Sequence, residues 1–302
     1  MSATVVMFSG QGSQKIGMGK EFYDASDICR RTFDEASEAL DFDIAKLCFE
    51  ANNQLSETEF AQPALLTVSI AVFRLMASRG FSPDIAMGLS LGEYTALTAA
   101  GVFDFADAVR LVRLRGSLMS KHTKPGGMLV SIGLGHDVLL DICKKAAPLG
   151  FVACANFNTA EQIVLSGEFD ALDFCTKEIK AAGGKAISLA VSGPFHTPLL
   201  SDAADRFKEA LIALTVSQPK IPVVSNLTGD LFDISNLTDS LANHMISPVL
   251  WVDCVKKALS LGAKNFVELG SGKTLTNFAK KISTDNKVFA IETPADMEGY
   301  CE

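Results

Sequence analysis

A glycine-flanked serine stands directly between a predicted strand and a predicted helix, and this arrangement restricts the fold more than any other feature of the sequence. The strand covers 84–87, the motif GLSLG covers 88–92, and helix-forming residues resume at Glu93. Glycines around the serine permit a tight, strained turn that exposes its hydroxyl at a helix N-terminus, where backbone N–H groups can stabilise an oxyanion. The pattern predicts an α/β fold with Ser90 as a nucleophile; the alternative is a chance glycine-serine turn.

Strands and helices alternate along the chain, except in a middle segment with a different order. The predicted strands of the alternating part are residues 4–8, 84–87, 223–226, 265–269 and 287–291. This alternation favours one parallel sheet. Between 127 and 191 the order is βαββαβ, that of a ferredoxin-like unit. We therefore expect an α/β protein whose large domain comprises residues 1–126 and 192–302 and whose small domain comprises 127–191.

Composition and charge exclude several other classes of protein. The chain has 302 residues, of which 48% are hydrophobic, so it can bury a sizeable core. Its net charge of −8 is the wrong sign for a surface that binds nucleic acid. The 7 cysteines include no CxxC pair, which indicates neither a zinc site nor a disulfide framework. We expect reduced core thiols, a cytoplasmic location, no signal peptide and no membrane span.

A nucleophilic serine needs a base, and the chain contains 4 histidines. His196 lies in SGPFHTP at 192–198, a loop between a predicted strand and a predicted helix that two prolines stiffen. The others lie in polar stretches or at a helix end. His196 is therefore the candidate base, and an ordinary loop histidine is the alternative.

Arg115 lies on an apolar face of its predicted helix, which spans about 104–121. By the 3.6-residue period it shares that face with Ala108, Leu111, Val112 and Leu118. Because a guanidinium keeps its charge, its burial calls for a carboxylate partner. That partner is either an acid of the protein, in an internal salt bridge, or a carboxylate on a substrate.

Two segments resemble nucleotide-binding motifs, but each lacks a glycine that its motif requires. GSGKT at 270–274 resembles a phosphate-binding loop, but Val267 occupies the position of the first glycine of that motif. GQG at 10–12 lacks the third glycine of a dinucleotide fingerprint, because Lys15 stands there. A basic stretch at 110–124, without an acid, is either a solvated helix face or a docking surface for an acidic partner or coenzyme A phosphates.

Taken together, these residues resemble the malonyl-CoA:acyl-carrier-protein transacylases of fatty-acid synthesis and the related acyltransferases of polyketide synthases. The resemblance covers essentially the whole chain. The segments that carry it, in the family's order and spacing, are GQGSQ at 10–14, QPA at 62–64, SLGEY at 90–94, RG at 115–116, NFN at 156–158, FH at 195–196, SPV at 247–249 with Trp251, and GK at 272–273.

The resemblance implies a large α/β-hydrolase-like domain with an inserted ferredoxin-like domain, and it implies roles for individual residues. Ser90 resembles the nucleophile, His196 the base and Arg115 the arginine that binds the malonyl carboxylate. The N–H groups of Gln11 and Leu91 resemble the oxyanion hole. The remaining implied site residues are Phe195 and Asn156, which contact substrate, and His244, whose backbone carbonyl orients the base.

The sequence departs from the family pattern at four positions. Ser9 and Ser271 replace prolines that are usual before the first and last of these segments, and both changes are expected to be mild. Leu89 replaces a histidine next to the nucleophile, and His244 stands where glutamine is common. Phe195 resembles acyltransferases that accept malonyl rather than methylmalonyl groups.

The resemblance implies a serine acyltransferase that passes a malonyl group from coenzyme A to the phosphopantetheine thiol of an acidic acyl carrier protein. It requires no cofactor and no metal, and we expect a monomer. A stand-alone acyltransferase serving a polyketide synthase is the nearest alternative. A serine thioesterase or hydrolase and a carrier-binding protein without activity are the others.

Overall fold

A computed structural model describes residues 2–301, with secondary structure numbered here in chain order. It contains two separate four-stranded sheets. The strands of the first, which is parallel throughout in the order β2-β1-β7-β8, are β1 (Ala3–Phe8), β2 (Ile85–Gly88), β7 (Ala263–Leu269) and β8 (Lys287–Ile291). Their short apolar runs suit strands that helices cover on both faces.

The register of this sheet brings three loops to one edge. Phe8, the last residue of β1, pairs with Gly88 of β2 on one side and with Leu269 of β7 on the other. Because the three strands are parallel, the segments that follow them leave the same edge of the sheet. The GLSLG turn, the 9–14 loop and the 270–274 loop are therefore neighbours, at the edge where open α/β sheets bind ligands.

Helices pack around the parallel sheet. The helices outside the middle segment are α1 (Lys20–Ala25), α2 (Asp27–Leu40), α3 (Ile44–Phe49), α4 (Thr58–Ser78), α5 (Leu91–Ala99), α6 (Phe105–Lys121), α9 (Ser201–Ile212), α10 (Leu237–His244), α11 (Trp251–Ser260), α12 (Thr274–Ile282) and α13 (Pro294–Cys301). Short 3₁₀ turns cover Gln54–Ser56, Ala147–Leu149, Pro198–Leu200 and Ile234–Asn236.

The second sheet is antiparallel and comes from the middle segment. Its strands, in the order β4-β5-β3-β6, are β3 (Gly127–Ile132), β4 (Val152–Thr159), β5 (Gln162–Gly167) and β6 (Lys185–Ser188). The helices α7 (His136–Ala146) and α8 (Phe169–Ala181) complete the βαββαβ order. The predicted fold class, an α/β-hydrolase-like part with a parallel sheet and an inserted ferredoxin-like unit, is confirmed.

The segment predicted as a strand at 223–226 is only a short bridge. Ala86 of β2 donates its N–H to the Pro222 carbonyl and accepts from the Val224 N–H. The chain then turns back, because the Gly229 N–H donates to the Ser225 carbonyl at 2.9 Å. This turn ends the pairing before a strand can form, and it leaves Asn226 beside the end of β2.

Helix α4 is long and apolar enough to cross a membrane by length and composition, with a mean hydropathy of 1.5 over its most apolar window. That window is 78% buried inside the fold, where α4 packs against α2, α5 and α6. A buried core helix of a globular domain has the same properties.

Candidate active site

Ser90 occupies a strained turn between β2 and α5. Its backbone has φ 53° and ψ −102°, which is a rare conformation for any residue with a side chain. The flanking glycines are required by space: a Cβ on Gly88 would lie 2.1 Å from the Gly92 carbonyl carbon, and one on Gly92 would lie 2.0 Å from the Phe8 oxygen. The turn is a nucleophile elbow in the geometric sense.

His196 is hydrogen-bonded to Ser90. The distance from Ser90 Oγ to His196 Nε2 is 2.7 Å, and the other ring nitrogen, Nδ1, lies 2.9 Å from the His244 carbonyl oxygen. A carbonyl can only accept, so Nδ1 carries the proton and Nε2 is left to accept from the serine hydroxyl. The imidazole is thus in the tautomer that a general base requires.

The surroundings of His196 keep it neutral. Burial lowers its pKa to about 4, and the nearby Arg115 charge adds to this effect. The ring is 4% exposed, and the residue has φ 60°, so it is held in an uncommon backbone conformation. At neutral pH the imidazole is unprotonated and able to accept a proton.

Arg115 lies beside Ser90. Its side chain is fully buried on α6, and its Nη2 donates to Ser90 Oγ at 3.2 Å. Nη1 donates to Gln62 Oε1 at 3.0 Å, and the guanidinium carbon lies 4.9 Å from the centre of the Tyr94 ring. These contacts fix the plane of the guanidinium.

No ion pair joins Arg115 to a carboxylate within residues 2–301, and its buried Nε has no hydrogen-bond partner. Glu93 interacts with the Arg115 charge only at longer range, and burial raises the pKa of this carboxyl group to about 8 although the Asn226 N–H and the Arg115 charge oppose that rise, so the group is largely protonated at neutral pH. An internal salt bridge, the simpler alternative from the sequence, is thus not formed. The guanidinium has donors to spare for an anion in the cavity.

Gln62 has a role that its sequence context did not reveal. It is 1% exposed on α4, accepts from Arg115 and donates its Nε2 to Met119 Sδ at 3.5 Å. A glutamine buried among apolar helix residues was the available signal, since a buried amide needs polar partners.

Gln11 lies in the loop that follows β1, and Leu91 directly follows Ser90 in the elbow. Leu91 is the first residue of α5, so its N–H has no acceptor within the helix. The loop that carries Gln11 approaches closely, because a Cβ on Gly10 would lie 2.5 Å from the Leu89 carbonyl oxygen. Leu89 therefore packs against the loop as well as lining the cavity.

Hydrogen bonds tie the 9–14 loop to the 270–274 loop. Ser9 Oγ donates to the Ser271 carbonyl at 3.2 Å, and Ser271 Oγ donates to the Ser13 carbonyl at 2.6 Å. Glu292 adds a third connection, since it accepts from the Gly272 N–H and pairs with Lys15 at 2.8 Å. Both serines are 2% exposed, so water does not compete for these bonds.

A cavity of about 210 Å³ opens onto the serine and lies between the two sheets. The residues that line it are Gly10, Gln11, Gly12, Ser13, Leu89, Ser90, Arg115, Met119, Met128, Val130, Asn156, Asn158, Gln162, Val164, Leu189, Val191, Phe195, His196 and Thr274. The predicted substrate contacts Asn156 and Phe195 are among them. Asn158 was not predicted to have a role; its Oδ1 is buried and has no partner.

His244 contributes its backbone rather than its ring. Its carbonyl accepts from His196, while both of its ring nitrogens are buried without a partner. The ring stacks on Tyr94 with an interplanar angle of 14°. Burial lowers the pKa of His244, so the ring is neutral.

Other candidate features lie outside this cavity. Much of the basic stretch is paired within the protein, Arg110 with Asp107 and both Arg113 and Lys121 with Glu59. A larger cavity of about 650 Å³ beside Phe42 and Arg113 has no serine, histidine or cysteine in its lining. Across residues 2–301, no cluster of three or more histidine, cysteine or acidic side chains is placed to hold a metal ion.

Comparison with known proteins identifies relatives over the full length. The family model described as an acyl transferase domain matches residues 5–289. The malonyl CoA-acyl carrier protein transacylase of Bacillus subtilis strain 168 is 39% identical over 304 residues, which cover 99% of this chain and 96% of that protein.

Solved structures agree with the sequence comparison. A malonyl CoA-acyl carrier protein transacylase from Clostridium perfringens superposes with a TM-score of 0.96 at 36% identity, covering 99% of this chain and 96% of the other. A malonyl-transacylase solved in complex with a type II polyketide synthase acyl-carrier protein superposes with a TM-score of 0.95 at 35% identity, covering 98% of each chain.

Proposed function

The chain belongs to the acyl transferase family, and from that membership we infer that it moves a malonyl group from coenzyme A to an acyl carrier protein. It is a transferase that acts through a serine. The assignment of roles to individual residues is our proposal, and it is supported by the contacts in the cavity between the two sheets.

The observation that carries the proposal is the buried, unpaired guanidinium beside the nucleophile. Arg115 donates to Ser90 Oγ at 3.2 Å, its Nε has no partner, and no acid of residues 2–301 forms an ion pair with it. A buried cation of this kind is stabilised by an anion from outside. The malonyl group carries a carboxylate, and it can form a bidentate pair with a guanidinium.

Acylation begins at the Ser90 hydroxyl. His196 Nε2 takes its proton while Oγ attacks the thioester carbonyl carbon of malonyl-CoA. The N–H groups of Gln11 and Leu91 receive the negative charge that develops on the carbonyl oxygen. The carbon–sulfur bond then breaks, and His196 returns the proton to the departing coenzyme A thiolate. Ser90 is left as a malonyl ester.

The second half reverses these steps with a different thiol. The phosphopantetheine thiol of the carrier gives its proton to His196, and its sulfur attacks the ester carbonyl. Ser90 Oγ leaves and regains the proton. The His244 carbonyl, 2.9 Å from His196 Nδ1, stabilises the imidazolium that exists during each half. No metal ion or cofactor takes part in this proposal.

Phe195 and Asn156 both line the cavity that contains Ser90. Phe195 precedes the base and is 4% exposed, so it limits the space beside the acyl group. Asn156 is on β4, and its amide offers a donor and an acceptor to a group bound in the cavity. We propose that both contact the substrate.

Fatty-acid synthesis is the pathway we propose, with a phosphopantetheinylated, acidic carrier as the partner. The solved complex of a related malonyl-transacylase with a polyketide carrier makes a polyketide pathway the second candidate. Six cysteines of the described part are buried and free, which supports a reducing, cytoplasmic location. We expect the protein to act as a monomer.

Transfer to a carrier protein tests the activity. The purified protein is mixed with malonyl-CoA and either a fatty-acid or a polyketide carrier that bears phosphopantetheine, and the carrier is weighed by mass spectrometry. We expect malonyl-carrier to form faster than free malonate. A hydrolysis rate above the transfer rate would instead identify a thioesterase or hydrolase, and the faster carrier identifies the pathway.

A further inference from the structure

Asn226 holds the nucleophile turn from outside the cavity. It is 0% exposed, and it lies just after the short bridge beside β2. Its Oδ1 accepts from the Ser90 N–H at 2.7 Å, and its Nδ2 donates to the Gly88 carbonyl at 2.7 Å. One side-chain amide therefore binds the backbone on both sides of Leu89.

The strained turn leaves two backbone groups without partners in the sheet, and Asn226 hydrogen-bonds to both. At φ 53° and ψ −102° the chain at Ser90 leaves the strand geometry, so its N–H and the Gly88 carbonyl lose their places in the ladder of the sheet. Buried backbone groups must find other partners. An amide offers one donor group and one acceptor on a short side chain, which matches both needs at once.

The backbone of Asn226 extends the same connection to two further elements. Its N–H donates to the buried carboxyl group of Glu93 on α5, and its carbonyl accepts from the Leu250 N–H at 2.9 Å. Leu250 follows Val249, which exchanges hydrogen bonds with Ala155 and Phe157 of β4. Asn226 thus connects three elements: the turn at Ser90, helix α5 behind it, and the 249–250 segment that is hydrogen-bonded to β4 of the small sheet.

We propose that Asn226 is a positioning residue for the nucleophile. It touches no substrate, since it does not line the cavity, and it acts by fixing the Ser90 backbone in its strained conformation. That conformation places Oγ 2.7 Å from His196 Nε2 and 3.2 Å from Arg115 Nη2. The inference rests on the proposed function only for Ser90 being the nucleophile.

Two substitutions separate the parts of the contact. Asn226→Ala removes both bonds to the turn, together with a longer one from Nδ2 to Cys254 Sγ at 3.7 Å. Asn226→Asp keeps the acceptor for the Ser90 N–H but places an oxygen opposite the Gly88 carbonyl. Ser225→Ala is the matched control, because Ser225 is 3% exposed in the same turn and its hydroxyl contacts only the Leu227 N–H. Melting temperature and circular dichroism are recorded for all three.

The first readout is steady-state malonyl transfer. We expect kcat of Asn226→Ala to fall roughly tenfold to a hundredfold, as when reacting groups are misplaced by about 1 Å, with KM for malonyl-CoA nearly unchanged. The kcat of Asn226→Asp should fall less, and the kcat of Ser225→Ala should equal that of the parent. A rise in KM at constant kcat, or an equal loss in Ser225→Ala, would overturn the proposal.

The second readout does not depend on malonyl transfer. A fluorophosphonate probe labels activated serines, and Ser90→Ala shows whether Ser90 is the labelled residue. We expect slower labelling of folded Asn226→Ala than of the parent, and labelling at the parent rate would overturn the positioning role. If the parent is labelled at Ser90 but does not transfer malonyl groups, the proposed function fails while the inference about Asn226 stands. If Asn226→Ala does not fold, the same comparison is made with Asn226→Asp.

Discussion

The Arg115 guanidinium donates a hydrogen bond to the Ser90 hydroxyl, with 3.2 Å between Nη2 and Oγ. The same hydroxyl lies 2.7 Å from His196 Nε2, so the guanidinium and the imidazole both contact one oxygen. We expect an acyl group on that oxygen to lie within reach of the guanidinium, and we therefore propose that the site prefers an acyl chain with a carboxylate.

Replacing Arg115 should change acyl preference more than stability. We expect Arg115→Ala to lose roughly tenfold to a hundredfold in kcat/KM with malonyl-CoA, because hydrogen bonds to charged groups contribute about 1.5–3 kcal/mol. Transfer from acetyl-CoA should hold or rise, since its methyl group needs no partner. Both substrates are measured on the one variant, together with the melting temperature.

Arg113→Ala is the matched control for that experiment, because it removes a cation from the same helix but one that pairs with Glu59. It should leave acyl preference unchanged. An equal loss of both activities in Arg115→Ala, with a lower melting temperature, would show that the arginine has a structural role only.

Removing the base should slow formation of the acyl-enzyme without preventing substrate binding. General base catalysis contributes typically about 10²- to 10⁴-fold, so His196→Ala should acylate slower by a factor in that range. Rapid quenching after mixing with malonyl-CoA measures the rate. His122→Ala, which removes a surface histidine paired with Asp202, serves as the control. Acylation of His196→Ala at the parent rate would remove His196 from the mechanism.

The low pKa of His196 predicts an unusual pH profile. A base works in its neutral form, so kcat/KM is retained above the pKa and lost as pH falls through it. Since burial lowers that pKa to about 4 from an ordinary 6.5, activity should persist through pH 6 and decline only at more acid values. The profile of kcat/KM for malonyl-CoA checks this, and a half-maximal point near 6.5 would contradict it.

The hydrogen bonds between the 9–14 and 270–274 loops should stabilise the fold and hold the Gln11 N–H in a fixed position. Ser271→Ala loses the bond to the Ser13 carbonyl, and we expect the free energy of unfolding to fall by about 0.5–1.5 kcal/mol, with a lower kcat. Ser13→Ala keeps the accepting carbonyl and should resemble the parent. Urea unfolding and steady-state transfer give the two quantities, and a Ser271→Ala protein equal to Ser13→Ala in both would refute the connection.

Patterns with a strong local signal were predictable from the sequence. The GLSLG turn follows from its glycines, the burial of Arg115 from its helical period, and the βαββαβ unit from its order of elements. Roles for Gln11 and His244 were predicted only from the family resemblance, because backbone N–H and carbonyl groups cannot be recognised from a pattern of side chains.

The contacts that were missed join residues far apart in sequence. Asn226 binds Ser90 across 136 positions, and Gln62 binds Arg115 across 53. Asn226 belongs to no motif, and Gln62 lies in the QPA segment of the family resemblance, which assigns it no contact with Arg115. The segment 223–226 was predicted as a strand because its two valines form a short apolar run, and both are buried although the pairing is short. Only the folded chain brings Ser9, Ser271 and Ser13 together, so the sequence showed that two serines replace usual prolines but not that their hydroxyls connect the two loops.

The central claim is that Ser90 carries the malonyl group, and intact mass spectrometry after brief exposure to malonyl-CoA tests it most directly. The parent protein should gain the mass of a single malonyl group and lose it when a carrier protein with phosphopantetheine is added. Ser90→Ala should gain nothing. A malonyl adduct on Ser90→Ala, or carrier malonylation by a parent that never gains the adduct, would contradict the account.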